Sequence, residues 1–133
     1  MSVTVCCEGG EISVIKGTDK TIQMTVQKDD VALDLTNAQV VFVLKVDEND
    51  ADADASVTKK TANLAGGGNE QVEITDAPNG VLKVYLVPTD TASLDGGTYY
   101  WGCRVKTSDG KQFGNRAGSC KFVLEVAIVA DPI

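Results

Sequence analysis

The sequence predicts an all-β protein: a sandwich of two antiparallel sheets built from about seven to nine short strands. Three observations predict it. Apolar and polar residues alternate with a period of two in several segments, as in Leu82, Val84 and Leu86 set against Val81, Lys83 and Tyr85. Turn chemistry recurs at short intervals, as in Asp76-Ala77-Pro78-Asn79-Gly80 and Asp109-Gly110. The run Leu94-Asp95-Gly96-Gly97-Thr98-Tyr99 has the layout of a tyrosine corner, in which a phenol at the start of a strand bonds the backbone upstream. No helical period of any length competes, although Thr89 to Leu94 has room for one turn.

The segment from Gly80 to Val105 organises the rest. Its first strand stops at Pro88, which has no N–H to give a ladder. Its second places Tyr99, Trp101, Cys103 and Val105 on one face, and Tyr100, Gly102 and Arg104 on the other. Upstream, Ser2 to Cys7 is β-rich and of uncertain role. Glu11 to Lys16 is a short strand. Lys20 to Lys28 alternates cleanly, with Ile22, Met24 and Val26 inward. Leu33 and Leu35 are expected to plug the sandwich end. Ala38 to Asp47 is the most continuously apolar strand. Val40, Phe42, Leu44 and Val46 share one face, while Val41 and Val43 share the other, which calls for a central strand or a covered outer face. Ser56 to Lys60 is extended, with Lys59-Lys60 read as an ordinary edge pair. Ala65 to Asn69 is a turn. Gln71 to Thr75 sends Val72 and Ile74 inward. A hairpin turn at Thr107 to Gly110 leads to a last strand, Lys111 to Phe113 then Ser119 to Val129, interrupted by the irregular GNRAGS.

The 133 residues fit one domain, with a core from about residue 11 to 129, an N-terminal strand or arm over 1–10 and a frayed tail over 130–133. Twelve basic against nineteen acidic residues give a net charge of −7, which repels nucleic acid and anionic membranes. Met1 to Ile15 has no basic residue and is interrupted by Glu8 and Glu11, so it fails as a signal peptide. Phe122 to Ala130 is too short to span a bilayer and contains Glu125. The expected compartment is the cytosol of the producing cell.

The four cysteines form no recognisable framework. Cys6 and Cys7 are adjacent and point to opposite faces of a strand. With Asp109-Gly110 as the turn, Cys103 falls opposite Arg116 rather than Cys120. That mismatch is about 13 Å along the strand, beyond disulfide reach unless a bulge at Gly114 to Gly118 repairs it. The absence of histidine removes the usual general base, the usual partner of a Ser or Cys nucleophile and a common zinc ligand. No enzyme is expected, and no cofactor. Asp50, Asp52 and Asp54 have the one-three-five spacing that opens calcium loops. Ala55 and Thr61 stand where the loop glycine and the closing Glu belong, so this is no EF-hand. A looser Ca²⁺ loop competes with a solvated acidic loop, and the composition favours the latter. Trp101, Tyr99 and Gly97 are structural candidates, and Val41, Val43 and Tyr100 are interface candidates.

The ordered set DENDADADASVTKKT, then VEITDAPNGVLKVYLVPTDTASLDGGTYYWGCRVKTSDGK, then SCKFVLEV resembles a domain of phage and prophage tail or baseplate proteins. It is similar to the family named after the N-terminal domain of baseplate upper proteins. The resemblance runs from about Ile12 to Val126 and implies an immunoglobulin-like sandwich that serves as a non-catalytic structural module. It implies homo-oligomers or sister phage structural proteins as partners. It also implies assembly in the bacterial cytoplasm and a final place in the virion tail or baseplate. The competing expectation is an immunoglobulin-like adhesive or carbohydrate-binding module, Ca²⁺-stabilised through the acidic loop.

Overall fold

A computed structural model describes residues 3–6, 11–28, 31–47, 49–51, 54–62, 71–114 and 121–126. Eleven strands form among them: β1 (Val3–Cys6), β2 (Glu11–Ile15), β3 (Lys20–Lys28), β4 (Val31–Ala32), β5 (Gln39–Lys45), β6 (Val57–Lys60), β7 (Val72–Asp76), β8 (Val81–Leu86), β9 (Gly97–Lys106), β10 (Gln112–Gly114) and β11 (Lys121–Glu125). A 3₁₀ turn spans Ala77–Asn79, and a single helical turn, α1, spans Pro88–Thr91. Pro88 opens that turn, where its missing N–H costs nothing.

One sheet has the order β1-β3-β8-β7, with the two-residue β4 against β3; the other runs β2-β11-β9-β5-β6, with β10 against β9. These are the two sheets of an immunoglobulin-like sandwich, with β2 and β6 added on either side of the central trio β11, β9 and β5. The count exceeds the seven to nine expected, because β4 is only a bridge and the last strand is split. Gly114 faces Arg104 in β10, while Lys121 faces Tyr100 in β11. Seven steps in sequence from Gly114 to Lys121 thus match four on β9, so β10 and β11 do not share one register. The β10 register also runs one residue out from the expected pairing of Cys103 with Arg116. Cys103 is buried; Cys120 and the 130–133 tail lie outside the described residues.

Two pairings were not foreseen. The uncertain N-terminal strand joins a sheet, with Val3 opposite Lys28 and Cys6 opposite Thr25. β2 pairs with β11 in parallel, Ile12 beside Phe122 and Val14 beside Leu124, so the sandwich is not wholly antiparallel.

The core follows the alternation. Ile22, Met24 and Val26 of β3 and Leu82, Val84 and Leu86 of β8 meet Val40, Phe42 and Leu44 of β5 and Phe122 and Leu124 of β11, all at 5% exposure or less. Burying each such side chain stabilises the fold by about 1.5–3 kcal/mol. Leu35 is fully buried under the β4–β5 connection, with Leu33 partly buried beside it. Val46 departs from the expected face: β5 ends at Lys45, and Val46 is 62% exposed.

The tyrosine corner is built as the local sequence dictates. Gly97 takes a φ of 146°, a region that disfavours side chains, and turns the chain into β9. Tyr99 Oη then donates to the Asp95 carbonyl at 2.7 Å. Trp101 stands two residues on, where antibody domains place the second cysteine of their inter-sheet disulfide. Here its ring stacks on Phe42, with centroids 6.1 Å apart and 20° between planes.

Burial first, and the Asp95 charge second, push the Tyr99 phenol above its ordinary pKa. A folded-state pKa above the unfolded value adds stability that is present below the unfolded pKa and is lost as pH rises through the folded one. Tyr99→Phe is therefore expected to cost about 1 kcal/mol at neutral pH through the lost hydrogen bond. The wild-type advantage should shrink in alkali. Urea titrations at neutral pH and above the tyrosine range check both parts.

Candidate interaction face

The outward side of the β2-β11-β9-β5-β6 sheet can be read row by row from its registers. Val43 of β5 lies between Thr58 of β6 and Gly102 of β9. One row toward the β9 C-terminus, Val41 lies between Lys60 and Arg104. One row the other way, Tyr100 lies between Lys45 and Lys121. Rows on one face are about 7 Å apart. The centre of the face is thus a short strip of Val41, Val43, Gly102 and Tyr100, all half-buried within the single chain. Gly102 adds no side chain, which keeps the middle of the strip shallow.

The other sheet supplies the contrast. On its outward side β3 presents Thr21, Gln23, Thr25 and Gln27, none of them apolar. Tyr85 lies half-buried on that side and donates its hydroxyl to Glu73 at 2.7 Å. This bond raises the Tyr85 pKa, helped by slight desolvation and the Glu73 charge. On this sheet β3 is polar outward, while β8 beside it presents Val81, Lys83 and Tyr85, all half-buried; on the other sheet the apolar residues fall together in the middle of the face.

Charge also divides the molecule. Arg104, Lys106 and Lys121 are exposed on the apolar-centred sheet. Among residues whose side chains are described, none of the three has a carboxylate within ion-pair distance. Residues 47–54 carry five carboxylates and no cation. Within that loop Asp50 Oδ2 accepts from the Asp47 N–H at 3.2 Å, and Lys45 Nζ donates to the Asp50 carbonyl at 2.8 Å. The Asp54 N–H donates to the Ala51 carbonyl at 2.9 Å. Asp52 lies outside the described residues, and among those described no three potential metal ligands come together.

At the opposite end, the β4–β5 and β9–β10 connections border an open cleft of about 240 Å³, lined by Lys28, Leu33, Asp34, Thr36, Thr107, Ser108, Asp109, Lys111 and Phe113. Lys28 Nζ sits 5.9 Å from the Phe113 ring centre. Asp34 accepts from the Thr36 N–H and hydroxyl at 2.9 and 2.6 Å, and Asp109 accepts from the Thr107 hydroxyl and, at 3.3 Å, from the Lys111 N–H. Those bonds hold both carboxyls below their ordinary pKa, the side-chain bond contributing most in each.

One polar feature was missed in the sequence. Lys59 does lie on the edge strand β6, but it is no ordinary edge lysine: it is 1% exposed, inside the sandwich, and its Nζ lies 2.7 Å from Asp90 Oδ2. Asp90 Oδ2 also accepts from the Val87 N–H at 2.7 Å. Thr91, fully buried, accepts from the Gly17 N–H at 2.9 Å. The α1 turn thereby clamps β6 and the β2–β3 turn at one end of the sandwich. The signal was present: the period of two puts Lys59 on the same face as buried Val57, and register sets it beside buried Phe42.

No protein-family model matches the chain, and no curated protein matches it. Among solved structures it is similar to one titled as the structure of murine CRIg, at 14% identity and a TM-score of 0.43, over 96% of this chain and 99% of that one.

Proposed function

We propose that the chain is a non-catalytic structural module of a phage or prophage tail or baseplate type of particle, acting through protein–protein contacts with copies of itself or sister subunits. It would assemble in the bacterial cytoplasm and end in the virion. The observation that carries the contact reading is the half-buried strip of Val41, Val43, Gly102 and Tyr100 at the centre of one outer face. The phage assignment rests on the ordered motif resemblance from the acidic loop to the closing strand. The lack of histidine fits a module without acid–base chemistry.

Light scattering on the eluting protein tests the reading: a mass above one chain that rises with concentration supports it, and a strict monomer at high concentration removes it. Val43→Asp is expected to weaken self-association by about 30-fold or more, the loss expected of a central interface contact. Because Val43 is already partly exposed, the fold should survive. The adhesive-module reading is favoured by the cleft between the β4–β5 and β9–β10 connections, whose lining combines hydroxyls, carboxylates and the Phe113 ring. Such a module would stay monomeric in the same experiment and be indifferent to Val43→Asp.

A further inference from the structure

The cleft of about 240 Å³ between the β4–β5 and β9–β10 connections is separate from the Val41, Val43, Gly102 and Tyr100 strip, none of which lines it. Its apolar lining is Phe113 and Leu33, both half-buried. Lys28 Nζ stands over the Phe113 ring, 5.9 Å from its centre, at the outer limit of a cation–π contact. The lysine stem is flexible, so a ligand can take the ring face and keep that ammonium as a donor at its rim. The polar lining is mixed. Lys28 and Lys111 bring two ammonium groups, and Asp34 and Asp109 bring two carboxylates, so the charges of the described lining cancel. Asp34 Oδ1 is anchored by the Thr36 N–H and hydroxyl, and Asp109 Oδ1 by the Thr107 hydroxyl and the Lys111 N–H. Each carboxylate thus keeps a second oxygen beyond its anchor. Asp109 Oδ2 meets Lys111 Nζ only loosely, at 3.9 Å between exposed side chains.

Deepening the adhesive-module reading, on which it rests, we infer that this cleft binds one neutral hexopyranose unit of a carbohydrate. The cancelled charge favours neither an anion nor a cation. Anchored acceptors beside mobile ammonium donors suit neighbouring hydroxyls, each of which both donates and accepts. A charged acceptor makes such a bond stronger than a neutral one would. The Phe113 ring suits the C–H face of a pyranose, which is apolar while its rim is polar. The volume lies below the roughly 300 Å³ at which drug-sized pockets begin, so the cleft has room for a single sugar ring rather than a run of peptide. Because the strip is not part of the cleft, sugar binding and self-assembly are separate properties of the chain.

The test titrates the isotope-labelled full-length protein with methyl glucopyranoside, methyl galactopyranoside and methyl mannopyranoside, read by amide chemical shifts. At least one is expected to bind with a Kd of about 1–10 mM, the affinity that about a dozen heavy atoms reach at the efficiency of drug-sized ligands. The shifts should centre on the amides of Thr36, Thr107, Ser108 and Asp109. Phe113→Ala is expected to weaken binding at least tenfold. Asp34→Asn/Asp109→Asn, which keeps an oxygen at each anchor, should weaken it by about tenfold or more. Glucuronate and glucosamine should bind no tighter than the neutral sugar. A trisaccharide of the sugar that binds separates two sources: an unchanged Kd means a free or terminal unit, a Kd at least tenfold lower means an internal unit of a chain, and either supports the site. No saturable shift by about 100 mM of any neutral sugar, shifts away from the cleft, binding that both variants leave intact, or a charged sugar bound tenfold tighter overturns it. A thermal melt shows whether Phe113→Ala folds, and the Asn pair, conservative in shape, keeps the test open if it does not. Failure here leaves the adhesive-module reading to its own measurement, the monomeric mass and the indifference to Val43→Asp.

Discussion

Gly80→Ala is expected to destabilise the protein by about 2–5 kcal/mol, the sum of a left-handed backbone penalty and steric overpacking. Gly80 has a φ of 70°, and a Cβ there would lie 2.5 Å from the Val26 carbonyl oxygen and 2.8 Å from that of Leu33. Both are backbone atoms in bonded structure and cannot swing aside. The Val26 N–H donates to the Gly80 carbonyl at 2.8 Å, and the Leu33 N–H donates to the Val26 carbonyl at 2.9 Å. The Ala77 carbonyl accepts from Gly80 at 3.1 Å and from Leu35 at 2.8 Å. One glycine thus lets β3, the β4–β5 connection and the turn before β8 close on each other. For a chain of this size, 1 kcal/mol moves Tm by about 4 °C, so a fall of roughly 8–20 °C is expected. Gly110→Ala is the control. Its φ is 87°, but nothing lies within 4 Å of the added carbon, so only the conformational penalty of about 1–2 kcal/mol applies. Equal losses at the two positions would contradict the steric argument.

The second large effect is at the buried ion pair. Asp90→Ala leaves the Lys59 ammonium inside the sandwich without its counter-charge and strips the Val87 N–H of its acceptor. A loss of about 3–5 kcal/mol is expected, as when one partner of a buried pair is removed. Lys59→Met should cost much less, about 0–2 kcal/mol. Asp90 has 17% side-chain exposure, so water can reach it, and it keeps its bond to Val87. The double variant should be more stable than Asp90→Ala alone, because no charge is then stranded. Denaturant titrations of the three variants make the cycle. An Asp90→Ala loss below about 1 kcal/mol would mean that Lys59 finds water by another route.

These two sites also mark what the sequence could and could not say. The strands were legible because one face of each is buried, which writes a period of two into β3, β8 and β9. The tyrosine corner was legible because Gly97 and Tyr99 carry separate chemical signatures at a fixed spacing. The Lys59 pair was hidden by reading Lys-Lys as exposure when the alternation already placed Lys59 inward. The parallel union of β2 with β11 was illegible for a different reason. Ile12 and Val14 show that a face is buried, but nothing in them distinguishes a parallel neighbour from an antiparallel one. The split of the last strand into β10 and β11 was visible as irregular composition, while the change of register between them was not. Val41, Val43 and Tyr100 were legible as outward apolar residues, but the cations framing them emerged only when registers set Lys60 and Arg104 beside Val41, and Lys45 and Lys121 beside Tyr100.

Hydroxyl-radical footprinting of the dilute and the concentrated protein compares the two outer faces within one molecule. Tyr100 and Tyr85 are both half-buried in the single chain and lie on opposite sheets, so each serves as the other's reference. If the β5–β9 face is where copies meet, oxidation of Tyr100 and Val43 falls as concentration rises while Tyr85 stays unchanged. Protection of Tyr85 with Tyr100 unaffected, or no protection at either residue, would contradict it.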